Sequence, residues 1–511
     1  MKRAGFDAFL LKGRAENYSY LHISDEGFRL ENAEDMSGLT TKEATERLRE
    51  KHGERSGTLT IGPAAENNVL FANIHGDNMN FLGRGGHGAI MHSKNLKGVV
   101  VKGEGKIPEH GDPDEFLNEE GTAIYEAEKR GIANNRITKA HSRLGTPAIF
   151  KLLNDVFGGL PTRNFRDSHF EEGDNLRGEA LNDEIKVKDD GCYGCQIRCK
   201  RKTKAGDKEG HGPEFETLYA LGSSLGIGDL DQVARLNYLC NELGMDTITM
   251  GLTLSCAIDM FEDGIITEED TDGLKLTFGS GEMIEELVRK TAYSENFGSE
   301  LATGSYRVAK KHGHPEYSMS VNSLELAGYD PRVLKGMALV FSQSNRGACH
   351  LRGGYTSSHE LYGSPKVANP LSIAGKGTLV ARSQDMNAYL DSLVACLLAA
   401  PGVSSDIWAR LLSASVFSKD DDYEYTPEDL MEVGERIYNL ERWFNHLEGI
   451  SAESYKLPQR LLDEEVKSGP QKGERLLEGD YLKMEREYYE VRGWENGVPT
   501  EEKLRELKII E

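Results

Sequence analysis

Three cysteines stand close together at Cys192, Cys195 and Cys199, spaced C-x2-C-x3-C. Thiolate is a soft ligand, and three thiolates converging on one point suit an iron–sulfur cluster. A cubane cluster takes four cysteines, so the run predicts a fourth ligand distant in sequence. The candidates are Cys240, Cys256, Cys349 and Cys396. Structural zinc would need a second knuckle or a Cys–His pair, and no second knuckle follows. Five cations in seven residues come next, at Arg198, Lys200, Arg201, Lys202 and Lys204. They form either a solvated loop or a basic rim that steers an acidic electron carrier.

Other segments carry weaker chemistry. His211 to Leu218 holds Glu214 and Glu216 ahead of an apolar helix. A glutamate in a closed pocket can move protons, although a first-turn glutamate favoured by the helix dipole is the simpler local reading. Ser344 to Gly354 combines His350 with Arg346, Arg352 and several glycines, a turn-prone stretch able to approach an anion through backbone N–H groups. The loop Gly83-Arg84-Gly85-Gly86-His87-Gly88 has neither a dinucleotide fingerprint nor a nucleoside-phosphate loop. Its glycines and one arginine still suit a phosphate or a pterin edge.

These side chains need a large frame, and 511 residues provide two to four domains. Residues 1–110 are β-rich: Phe6–Leu11, Tyr18–Ile23 and Gly98–Lys102 read as short strands. Thr40-Thr41-Lys42-Glu43 offers a capping box for a helix to about His52. From about residue 111 the apolar spacing turns helical, as over 232–243, 280–293 and 429–447. A net charge of −23 excludes a nucleic-acid binder, and no apolar run reaches the length of a membrane span. Seven cysteines without an export signal fit a reducing cytoplasm rather than a disulfide framework.

Taken in order, the motifs resemble those of the aldehyde:ferredoxin oxidoreductase family, the tungsten-pterin enzymes. The resemblance is carried by Leu82 to Lys97, the Cys192/Cys195/Cys199 run, Gly212 to Thr217, Cys240 to Ile248, Tyr329 to Arg332, Ser344 to Arg352, Asp391 to Cys396 and Tyr488 to Trp494. It implies an α+β fold: a truncated N-terminal β-rich domain (1–110) and two mostly helical domains (111–319 and 320–511). It selects Cys396 as the fourth ligand of a [4Fe-4S] cluster. It implies pterin contacts at Gly83, Arg84, Asn241, Asp246, Arg352, Asp391 and Ala395, with Glu216 as general base and His350 polarising the substrate carbonyl.

The implied reaction is oxidation of an aldehyde to its acid at a tungsten bis-pterin, with molybdenum as the lesser choice of metal. Magnesium bridging the pterin phosphates, ferredoxin as acceptor and a homodimer are further implications. Acid or acyl-thioester reduction on the same scaffold, or a cluster-only electron-transfer remnant, are the alternatives. The sequence departs from the family at Asn241, where Asp is usual, at Val394, where Gly is usual, and at Ala395, where Leu is usual. Met1 falls roughly a hundred residues into the family pattern, so a shortened first domain with unpaired strand edges is expected.

Overall fold

The computed structural model describes residues 1–77, 80–106, 119–364, 366–416 and 423–511. The chain packs as two compact units. The first comprises Met1–Pro108, Lys204–Pro213 and Ala220–Ser318; the second comprises Glu109–Thr203, Glu214–Tyr219 and Met319–Glu511. The segment 111–319 therefore contributes to both units, and the three-domain division remains a proposal. Its first boundary, at 110/111, lies outside the described residues.

In the first unit, strands β1 (Ser19–Ser24), β2 (Gly27–Asn32), β3 (Gly57–Thr60), β4 (Ile74–Gly76), β5 (Asn80–Leu82) and β6 (Leu96–Lys102) form one sheet. Its order is β2-β1-β6-β3-β4-β5. β1 runs antiparallel to β2 and parallel to β6. Both β1 and β6 are buried over most of their length, as expected of strands flanked on both sides within a sheet. Edge strand β2 leaves Phe28 and Leu30 exposed.

Helix α1 (Thr41–His52) begins at the expected capping box. The Thr40 hydroxyl accepts from Glu43 N at 3.2 Å, and Thr40 N donates to Glu43 Oε2 at 2.8 Å. The helix buries Ala44, Thr45 and Leu48, and Leu48 packs with Tyr20, Ala33, Met36 and Val100. On β6 itself, Lys97 is fully buried, and its ammonium donates to Glu66 Oε1 at 2.6 Å and to Leu39 O at 2.8 Å.

Phe6–Leu11 form no strand, contrary to the reading of their β-prone composition. β1 is already flanked by β2 and β6, and Phe9 and Leu10 lie exposed. Helix α2 (His87–Ser93) follows the glycine loop. Helices α3 (Leu230–Leu243) and α4 (Thr247–Glu262) complete the part of this unit that concerns the site.

In the second unit, α5 (Lys376–Ser392) packs against α6 (Pro427–Leu447) and α7 (Glu478–Arg492). The tail segment Tyr488 to Trp494 serves this packing. Arg492 is buried, donates to Asp385 Oδ1 at 2.5 Å, and lies 4.6 Å from the Tyr438 ring centroid. Strands β7 (Lys186–Asp190) and β8 (Lys200–Ala205) pair antiparallel, with Asp190 opposite Lys200. The three-cysteine run is the connection of this hairpin.

Candidate active site and cluster site

The cysteine loop is shaped by backbone geometry. Gly194 and Arg198 take left-handed φ values of 70° and 51°, and Cys195 N donates to Cys192 O at 3.1 Å. The loop therefore turns back on itself at Gly194 and again at Arg198. Burial raises the Cys199 thiol to about 12, and the nearby Glu214, Cys396 and Cys195 add to the rise. Cys396 is raised by burial and by Cys195 and Cys192, while the backbone N–H groups of Leu398 and Ala399 act in the opposite sense.

The structure thus brings Cys396 into the electrostatic neighbourhood of all three loop cysteines. The other candidates go elsewhere. Cys240 and Cys256 are buried within α3 and α4 of the first unit. Cys349 Sγ accepts from Arg346 Nη2 at 2.9 Å and from Arg352 N at 3.4 Å. Four soft donors, with backbone N–H groups aimed at one of them, fit an iron–sulfur cluster.

The basic run divides by strand alternation. Arg201 turns inward on β8 and is almost wholly buried, donating to Ser142 O at 2.8 Å and to Arg198 O at 2.9 Å. It belongs to the support of the loop rather than to a rim, because successive strand residues face opposite sides. Lys200, Lys202 and Lys204 take the other face.

Two motifs of similar spacing end helices in the same way. At Asn241 to Asp246, α3 closes on Gly244 with φ 84°, and both Gly244 N and Met245 N donate to Cys240 O at 2.9 Å. At Asp391 to Cys396, α5 closes with Ala395 N donating to Leu390 O at 2.9 Å and Val394 N to Asp391 O at 3.0 Å. This is the Schellman pattern, whose C′ residue is left-handed and usually glycine. Val394 occupies it with φ 56°. Each motif therefore works first as a helix stop that fixes its sixth residue.

Asp246 is fixed at the N-terminus of α4. Its carboxylate accepts from Ile248 N at 3.0 Å, from Thr249 Oγ1 at 2.8 Å and from Arg84 Nε at 3.0 Å. Arg84 and Asp246, 162 positions apart, are both buried. Asn241 is held by Thr41 Oγ1, which donates to its carbonyl at 2.8 Å. In the glycine loop, a Cβ at Gly86 would meet Leu70 O at 2.3 Å, and one at Gly88 would meet Asn73 O at 2.4 Å. Those two glycines serve packing. At Gly83 and Gly85 the nearest atoms lie at 3.8 and 3.6 Å, which leaves that edge open to a ligand such as a pterin.

In the second unit, Arg352 Nη1 donates to Asp391 Oδ2 at 2.6 Å, and Nη2 donates to Glu441 Oε1. Glu214 and Glu216, adjacent in the motif, diverge. Glu214 accepts from the Thr146 hydroxyl and neighbours Cys199. Glu216, in the first turn of the short helix Phe215–Ala220, accepts from Gly328 N at 2.9 Å through Oε2. Its Oε1 lies 3.4 Å from His350 Nε2.

Both members of that pair are largely buried, with side chains 17% and 11% exposed. Tyr329 and Tyr355 wall the pair, with ring centroids 5.7 and 6.0 Å from His350. Their hydroxyls lie 3.3 Å apart, Tyr329 donating to Tyr355. Burial raises both phenols, Tyr355 to about 12, and Glu216 adds to each.

Tyr329 is placed by the segment that follows it. Asp330 accepts from Arg332 N at 2.9 Å and from Arg332 Nη2 at 2.6 Å, and the pair is fully buried. Tyr355 was not among the expected site residues, since a tyrosine flanked by Gly354 and Thr356 carries no local signal.

Comparison with known proteins bears on this arrangement. Residues 1–103 match the N-terminal domain of aldehyde ferredoxin oxidoreductase, and residues 122–509 match its domains 2 and 3. The tungsten-containing aldehyde ferredoxin oxidoreductase of Pyrococcus furiosus is 36% identical over 519 residues, covering all of this chain and 83% of that protein. The enzyme of the same name from Thermococcus kodakarensis is also 36% identical with the same coverage. An aliphatic sulfonate oxidoreductase WOR-like subunit from Pyrococcus furiosus is 29% identical over 553 residues, covering all of this chain and 81% of that protein.

Among solved structures, the BamBC active-site complex of benzoyl coenzyme A reductase, in complex with 1,5-dienoyl-CoA, superposes with a TM-score of 0.78 at 20% identity. It covers 99% of this chain and 82% of that one, which establishes the shared fold. The N-terminal domain, expected to be cut short, is matched over residues 1–103 and is present in the chain. With the N-terminal domain and domains 2 and 3 all matched, and a relative 36% identical over the whole of this chain, the chain is an oxidoreductase of the aldehyde ferredoxin oxidoreductase family.

Proposed function

We propose that this enzyme oxidises an aldehyde to its carboxylic acid at a tungsten bis-pterin and delivers the electrons through a [4Fe-4S] cluster to ferredoxin in the cytoplasm. The observation that carries the reading is the pairing of Glu216 with His350 in a largely buried pocket, with Gly328 N fixing the carboxylate. The balanced change is aldehyde plus water to carboxylic acid, two protons and two electrons. When bound, the tungsten pterin accepts the electron pair and the cluster passes the electrons on singly.

Cys192, Cys195, Cys199 and Cys396 would hold the cluster. Gly83, Arg84, Asn241 and Asp246 would hold one pterin, and Arg352, Asp391 and Ala395 the other. Glu216 takes the proton from the attacking water as the C–O bond forms. His350 Nε2 donates to the carbonyl oxygen and draws electron density from its carbon. The tyrosine wall excludes bulk water, which strengthens both interactions.

Replacing Glu216 with Gln keeps the hydrogen bond from Gly328 and removes the base. Turnover should fall by about 10²–10⁴-fold, while iron and tungsten contents stay at the wild-type level. Near-normal turnover would remove Glu216 from the reaction, and loss of tungsten would reassign it to holding the site.

A further inference from the structure

A second cluster of metal-ligating groups stands in the first unit, and the proposed aldehyde chemistry makes no use of it. His22 on β1, Glu31 on β2 and His52 at the end of α1 bring one ligand atom each to within 4.8 Å of one another. Sheet register explains the meeting. Tyr20 faces Glu31 and His22 faces Arg29 across the β1–β2 pair, so Tyr20, His22, Arg29 and Glu31 share one face of the hairpin. Helix α1 lays its last residue on that face, with the His22 and His52 ring centroids 4.1 Å apart.

The atoms are spaced for a small, tetrahedral cation. His22 Nδ1 lies 3.2 Å from Glu31 Oε1, and His52 Nε2 lies 3.8 Å from Glu31 Oε2. Ligands about 2.0–2.1 Å from a tetrahedral zinc stand roughly 3.3 Å from one another, so the set closes on such an ion with only small side-chain movements. The imidazoles are nearly buried, with side chains 9% and 10% exposed, whereas Glu31 is 27% exposed. The carboxylate therefore marks the open side by which an ion and a water enter.

The surroundings supply both support and competition. The Tyr20 hydroxyl donates to Glu31 Oε2 and lies 2.9 Å from His52 Nε2. It occupies the place of an orienting partner that holds a ligand carboxylate in position. Arg29 Nε donates to Glu31 Oε1 at 2.8 Å, but its side chain is 61% exposed and free to swing into solvent. Lys51 sits over the Tyr20 ring at 5.6 Å and is drawn to Asp35 at 3.1 Å.

We propose that His22, Glu31 and His52 form a zinc-type divalent metal site, completed by water, that fastens the β1–β2 hairpin to the end of α1. Such a site is distinct in chemistry from the cysteine site, because its ligands are nitrogen and oxygen alone. Its role is structural: an ion bound only by the folded state raises stability by mass action.

The test uses the full-length, iron-loaded protein, treated with a chelator and then with zinc. About one zinc per chain should remain after dialysis. Its X-ray absorption fine structure should show only nitrogen and oxygen neighbours near 2.0–2.1 Å, with none at the roughly 2.3 Å of a thiolate. His22→Gln and His52→Gln should each weaken zinc binding about 100-fold or more, with iron content unchanged. Glu31→Gln keeps the size and the Tyr20 contact, so it should fold normally in zinc-free buffer and lose the rise in Tm that zinc gives the parent protein. No bound zinc, sulfur in the first shell, or an equal zinc response in the variants would overturn the proposal. None of these outcomes depends on whether the enzyme oxidises aldehydes.

Discussion

At the scale of single residues, the pocket separates groups that change charge from groups that do not. Tyr329 and Tyr355 hold their protons, since burial raises both phenols and the neighbouring Glu216 adds to the effect. A phenol raised to about 12 stays neutral and a donor at every pH below that value. The tyrosines thus shape and dry the pocket without adding a limb to the pH profile. Tyr355→Phe should lower kcat by about 3–10-fold, the worth of one neutral hydrogen bond. The apparent pKa values of the activity–pH curve should remain in place. A displaced or missing limb would give Tyr355 an ionising role.

Glu216 and His350 were legible only through the order of motifs around them, because a first-turn glutamate and a lone histidine have common structural explanations. Tyr355 was not legible at all: its role depends on a contact with Tyr329 that no short-range pattern encodes.

At the scale of elements, what the sequence shows as a ligand motif is also a way of ending a helix. The N-x-x-G-M-D and D-x-x-V-A-C segments both close a helix with a bond from the fifth residue back to the residue before the motif. The left-handed position holds Gly244 in one and Val394 in the other. A side chain there costs about 1–2 kcal/mol, and the extra freedom of glycine in the unfolded chain returns about 0.4–1 kcal/mol. Val394 is 92% exposed and gives little packing in exchange.

Val394→Gly should therefore stabilise the protein by roughly 0.5–1 kcal/mol, read as a higher urea midpoint. Gly244→Ala should do the reverse and cost more, since its Cβ would also stand 3.0 Å from Gly62 N. Opposite signs for the two substitutions are the decisive result. A destabilised Val394→Gly would mean that this valine is covered in the working enzyme. The α1 capping box was readable because both partners lie three residues apart. The failure at Phe6–Leu11 has the complementary cause: a β-prone segment becomes a strand only where it pairs with a sheet edge, and composition does not report that pairing.

At the scale of the molecule, 84 acidic and 61 basic side chains leave a net charge of −23. The four-cysteine group carries a local exception, the outward face of β8 with Lys200, Lys202 and Lys204. Its inward neighbour Arg201 is excluded from any surface role by burial, a division the residue run alone could not reveal. Two salt effects of opposite sign follow. General self-repulsion among excess carboxylates is screened as ionic strength rises, since the Debye length falls from about 30 Å at 0.01 M to about 10 Å at 0.1 M. Stability should therefore increase with sodium chloride over that range.

Should the proposed ferredoxin dock on the lysine face, their attraction would be screened by the same ions and electron delivery would slow. The double substitution Lys200→Glu with Lys204→Glu separates the two effects. At low salt it should reduce the rate with ferredoxin by roughly tenfold or more, on the scale of electrostatic steering. The rate with a small uncharged dye as acceptor should be unchanged. Addition of salt should shrink the difference between variant and parent toward zero. A variant that slows equally with both acceptors would point to damage at the cysteine loop instead. One that slows with neither would show that the carrier approaches by another face.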